Sequence, residues 1–205
     1  MNPDFLREKI DNFWKWFVEH EEKFRIITDP RNVREMLDNQ ILQFGPFYWE
    51  IGEGKNKPHT FIISPNGDRK LLDISLDIMD EAPDLPLWDF YGAKPSIDWD
   101  YTFEMYDNFV VKQKIDASDW EYIIRMTPER KIKLLIYAEN IDFLDDEDKI
   151  VAANLVINNI IGEEDKIIYI ESISFIPLVN EHQENDIQMM PQFGFEFDKI
   201  MDEIE

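Results

Sequence analysis

Over roughly the first forty residues, apolar side chains recur every three to four positions, which is the helical period. Leu6, Ile10, Phe13, Trp14, Phe17, Val18 and Phe24 share one face and predict a helix over 3–24. A second helix over about 30–42 has Asp29 as N-cap, Pro30 at its first position, and Val33, Met36, Leu37 and Ile41 as its buried stripe. The pattern then shortens to strand-like runs. FYWEIGE (47–53) and HTFIIS (59–64) predict two strands joined by the turn-rich GKNKP. SPNGD ends the second strand, and Asp68 can cap a helix running to about Asp80, with enough Leu, Ile and Met to be largely buried.

EAPDLPLWDF (81–90) follows. Pro83 cannot sit inside a helix without losing a hydrogen bond and clashing with the preceding turn, and it drives Ala82 out of the helical region. Pro86 then sets the approach to a strand over LWDFYG, so the stretch reads as a helix end and a strand start. Over 95–118, Phe103, Met105, Phe109 and Val111 indicate one or two strands and no helix. After them the earlier order returns: EYIIRM (121–126), the turn TPER, KIKLLIY (131–137), a helix over 145–162, and a closing strand over 166–178.

The order strand–strand–helix–strand thus occurs twice, at 47–92 and 121–176, after an N-terminal helical pair. That predicts an α+β fold: mostly antiparallel, in one continuous sheet or two small ones, with helices on one face. Residues 1–178 read as a single globular domain. Residues 179–205 read as an acidic tail, with a loop at EHQENDIQ and a short final helix.

FIISPNG, EAPDLPLW, KIKLLIY and IIGEEDKIIYIESISFIPL together resemble a family of bacterial cytosolic proteins of unknown function, over roughly residues 10–178. The shared features are the alanine-proline-x-leucine-proline-x-tryptophan phrase at 82–88 and a glycine-glutamate after the second helix of the sheet units. The resemblance implies a bacterial source and brings no catalytic residue with it.

Charge narrows the functional classes. With 44 acidic against 21 basic residues the chain carries a net −23, beside 44% hydrophobic content that excludes a disordered acidic tail. Such a surface repels nucleic acid and anionic membranes, and it steers cationic proteins towards itself. The absence of cysteine removes disulfides, thiol nucleophiles and Cys-based zinc sites. The opening MNPDFLREKIDNFWKWF has no apolar run of signal-peptide length, so a cytoplasmic protein is expected.

Candidate chemistry is sparse. His20, His59 and His182 stand apart and form no H-E-x-x-H motif. DFLDDEDK (142–149) lacks the glycine and the position-12 glutamate of a calcium loop, and reads as an acidic helix start. GEED (162–165) reads as a C-cap glycine and a polar turn. SPNGDRK has too few glycines for a nucleotide loop. No catalytic residue, metal site or cofactor is assigned. Three tryptophans are the candidate binding residues: Trp16, off the main stripe of the first helix; Trp49, in the first strand; and Trp88, where an aromatic wall could line a pocket mouth.

The expected function is therefore non-enzymatic: an acidic protein engaging a basic protein partner, as an immunity protein or inhibitor does. The alternative is a carboxylate-based enzyme, with or without Mg²⁺, acting on a small substrate. A structural or regulatory dimer is the third reading. The sequence leaves the oligomeric state open.

Overall fold

In the computed structural model, which describes residues 3–106, 110–177 and 187–204, the chain gathers into two units, Met1–Lys94 and Pro95–Glu205. Each has its own apolar core. Phe109, His182 and most of the loop expected over 181–188 lie outside the described residues.

The first unit begins with the expected helices, α1 (Pro3–Arg25) and α2 (Pro30–Ile41). The Asp29 carboxylate accepts from Asn32 N at 3.2 Å and satisfies a donor that the helix itself leaves open. Ile10, Phe13, Trp14, Phe17 and Phe24 are buried, whereas Val18 is exposed, contrary to expectation. At about 100° per residue Val18 lies about 120° from the centre of the Phe13–Phe17–Phe24 stripe, beyond the edge of the covered face.

β1 (Tyr48–Glu53) and β2 (His59–Ser64) pair antiparallel, α3 (Arg69–Asp80) crosses over, and β3 (Trp88–Tyr91) returns parallel to β2. The turn before α3 places Asn66 and Gly67 at φ +51° and +79°, a conformation that Asn tolerates and Gly adopts without strain. Asp68 then caps α3 by accepting from Lys70 N at 2.8 Å. Trp49, Ile51, Phe61, Ile63, Trp88 and Phe90 share the sheet face that packs into the core, while Tyr48 and Glu50 point the other way. The helices and this face meet in an aromatic cluster, with Phe17 lying 5.0 Å from Phe24, 5.1 Å from Phe61 and 5.3 Å from Trp88. Trp14 Nε1 donates to the Ile78 carbonyl at 2.7 Å and ties α1 to α3.

In the second unit β4 (Thr102–Tyr106) and β5 (Lys112–Asp116) pair antiparallel in the middle segment, where one or two strands were expected. β6 (Glu121–Met126) and β7 (Ile132–Tyr137) pair antiparallel, α4 (Asp146–Ile161) crosses over, and α5 (Glu163–Tyr169) leads into β8 (Ile170–Phe175), parallel to β7. β9 (Gln188–Met189) then adds antiparallel to β6, and α6 (Phe193–Ile204) ends the described chain. Trp120, Tyr122, Leu134 and Ile136 meet Val156 and Ile157 of α4 and Phe193 and Phe197 of α6 in one cluster. Residues 187–204, read from sequence as part of a tail, thus contribute buried side chains to this core.

Two expectations change. Among the described residues the sheets number three, in orders β1-β2-β3, β4-β5 and β8-β7-β6-β9, and two of the six strand pairs are parallel. A strand that returns after a crossover helix runs parallel to the strand before that helix, so each repeat contributes one parallel pair. The closing strand is also shorter than expected, because Gly162, at φ +86°, both ends α4 and opens α5. The Gly162 carbonyl accepts from Lys166 N, and three carboxylates lie in the first turn, where they favour the positive helix end. GEED is accordingly a helix start.

The two repeats agree closely in construction. Both hairpins join six-residue strands through five-residue loops, closed by Gly54 N to Pro58 O (3.3 Å) in one and Thr127 N to Lys131 O (2.8 Å) in the other. In each the returning strand opens opposite the first residue of the middle strand, Trp88 beside His59 and Ile170 beside Ile132. In each an aspartate, Asp68 or Asp145, caps the crossover helix.

Candidate functional site

β1 forms one edge of its sheet, and α2 runs beside it. Between them lies an open concavity of about 630 Å³, lined by Arg34 and Asp38 of α2 and by Phe47 to Ile51 along the strand. Arg34 and Asp38 are four residues apart, so one helix face presents both. Trp49 forms the wall. Its ring packs against the core and its Nε1 donates to Asp38 Oδ1 at 2.7 Å, which orients the indole and the carboxylate together. Tyr48 stands 61% exposed beside it, and Glu50 pairs with Lys94. Trp49, half-buried, thus borders a cavity.

The other two expected tryptophans lie elsewhere in the first unit. Trp88 is fully buried; its ring packs on Phe17 and Phe90, and its Nε1 donates to Glu21 Oε1 at 2.9 Å. Arg25 Nε lies 2.9 Å from the same oxygen in ion-pair rather than hydrogen-bond geometry. Those bonds complete the polar tip of Trp88 and leave no indole surface for a ligand. Trp16 is half-buried, with its ring against Phe24 at 5.5 Å and stacked on His20 at 5.2 Å. His20 Nδ1 lies 2.8 Å from the Trp16 carbonyl, which only accepts, so that nitrogen carries the proton.

Charge separates the units. Residues 1–94 hold 18 acidic and 12 basic side chains, a net −6, and residues 95–205 hold 26 and 9, a net −17. At the start of α4, Asp145 caps the helix through Asp148 N at 2.9 Å, and Asp142 pairs with Lys149 at 3.2 Å. At α5, burial raises the Asp165 carboxyl above its ordinary range, and the nearby Glu164 and Asp198 raise it further. Burial pulls the adjacent Lys166 down, against the attraction of Glu163. Tyr137 is pushed up to about 12, first by its hydrogen bond to Glu139, then by desolvation and by the carboxylates around it.

Among the described residues, no three His, Asp or Glu side chains converge closely enough to hold a metal ion, and no helix is long and apolar enough to cross a membrane. No protein-family model matches the chain, and neither a curated protein nor a solved structure shows significant similarity to it. The concavity on β1 was not legible in the sequence. Only the alternation of Tyr48, Trp49, Glu50 and Ile51 pointed there, and that pattern marks any half-buried strand.

Proposed function

We propose that this chain is a non-enzymatic acidic protein of the cytoplasm that engages a basic protein partner, in the manner of an immunity protein or inhibitor. The uneven charge carries the reading: 26 acidic against 9 basic residues in the second unit. A field of that sign raises the encounter rate with a cationic surface and loses its reach beyond a Debye length of about 8 Å at physiological salt. Asp165 supports it, because burial first and then the carboxylates of Glu164 and Asp198 disfavour its charge, and an incoming ammonium or guanidinium would offset that cost. The carboxylate enzyme is the weaker reading, since it requires acidic groups from separate elements to converge in a pocket.

Affinity capture from a lysate of the source cells at low and then moderate salt, read by mass spectrometry, tests the proposal. The expected result is one basic protein held at low salt and released at moderate salt, whose purified form then binds the purified chain. Failure of every basic candidate to bind the purified chain at low salt would overturn it.

A further inference from the structure

The two repeats differ at one matched place. Counting from the start of each hairpin, Tyr48 and Trp49 of β1 stand where Glu121 and Tyr122 stand in β6. In the second unit that position is occupied: β9 pairs antiparallel there, with Met189 opposite Glu121 and Gln188 opposite Tyr122. The Tyr122 hydroxyl lies 3.1 Å from Gln188 Oε1, so the aromatic residue at the strand start holds the added strand by its polar tip. In the first unit no described strand pairs with the outer edge of β1, and the concavity beside Tyr48 and Trp49 lies along it.

We infer that β1 accepts an extended cationic segment of a partner protein, added as an antiparallel strand in the concavity against α2. An exposed edge presents unpaired N–H and C=O groups at every second residue, and natural edges are normally blunted by lysine, proline, bulges or shortness. β8, the opposite edge of the second unit's larger sheet, carries a register irregularity, β9 is two residues long and β3 four. β1 has six residues, regular pairing, no proline and no lysine. Strand addition uses such an edge for affinity and side-chain pockets for specificity.

Charge selects the occupant. A second copy of the chain would bring two bodies of net −23 together. A cationic segment would instead pass Asp38 and Glu50, opposed locally by Arg34 and by the Lys94 that already pairs with Glu50. The sign of the segment's charge rests on the proposed function, whereas its addition as a strand rests on geometry alone.

The test uses the full ¹⁵N-labelled chain and three capped seven-residue peptides: alternating lysine and valine, alternating glutamate and valine, and the lysine form with a central proline. The expected result is amide-exchange protection of β1 by the lysine peptide, about tenfold at saturation, with changed Trp49 fluorescence. The proline peptide should fail, because it breaks the ladder. Glu50→Lys and Tyr48→Pro, both at exposed positions, should each weaken protection at least several-fold while the fold persists by circular dichroism. Equal protection by the proline peptide, or protection away from β1, would overturn strand addition. Equal binding of the glutamate peptide would overturn the charge of the occupant while leaving strand addition standing. A free chain that sediments as a dimer with β1 already protected would assign the edge to a second copy.

Discussion

The two strand–strand–helix–strand repeats share the strand lengths, loop length, loop closure and register of their hairpins, yet they finish their sheets differently. The second recruits a distant segment: β9, some fifty residues beyond β7, covers the outer edge of β6, and Tyr122 joins it through Gln188. Among the described residues the first recruits none, and Trp49, at the place of Tyr122, donates instead to Asp38 of a helix beside an open groove. The charge is divided as unevenly, −6 against −17. A duplicated framework therefore does not make duplicated surfaces. The hairpin register follows from turn length and strand alternation, which both halves share, whereas the covering of an edge depends on what the rest of the chain has left to place there.

The strongest way to break the comparison is through the cores. Phe17→Ala removes a fully buried ring from the aromatic cluster and should cost about 3–5 kcal/mol. Accelerated amide exchange should be confined to residues 3–94, because the two clusters share no buried side chain. Uniform acceleration across 110–177 as well would show one cooperative unit instead.

The matched hydrogen bonds offer a finer contrast. Gln188→Ala should destabilise the second unit by about 1 kcal/mol and open the β6 edge to exchange, since the Tyr122 hydroxyl loses its partner inside a packed sheet. Asp38→Ala should cost less, about 0.5 kcal/mol, because the Trp49 Nε1 it leaves can turn to water at the open groove. The opposite ranking in chemical denaturation would mean that the groove wall, not β9, is the stiffer of the two.

Smaller effects test the charge. The raised pKa of Asp165 means that the folded state disfavours its charge relative to the unfolded chain. Asp165→Asn should therefore raise the melting temperature at pH 7. The gain should fade as pH falls through the raised folded value and vanish below the ordinary aspartate pKa of about 3.9, where both states are protonated. A gain that persists at pH 3 would assign the effect to packing. Added salt should raise the melting temperature of the wild-type chain by screening its net −23, and most of the rise should belong to the second unit.

Much of this architecture was legible beforehand. The helical period gave α1 and α2, Asp29, Asp68 and the acidic run at 142–149 marked three helix starts, and Pro83 marked a helix end. The repeated order of elements was visible although residue identity between the halves was not. Other features escaped for a physical reason in each case. Trp88 looked like a wall for a ligand because exposure is not written in local sequence, and its burial depends on Phe17 and Glu21, 71 and 67 residues away. α5 was hidden because KIIY suits a strand by propensity, and a glycine at positive φ started a new helix there instead.

The sequence by itself determined most of the elements and their order, several of the caps that bound them, the absence of thiol chemistry and the strongly acidic surface. These depend on neighbours within a few residues, or on sums that need no geometry. Tertiary structure alone decided which strand edge is covered and which stays open, which tryptophan borders a cavity, and where the carboxylates crowd. Those outcomes are set by contacts between segments tens of residues apart, and periodicity, a local property, carries no record of them.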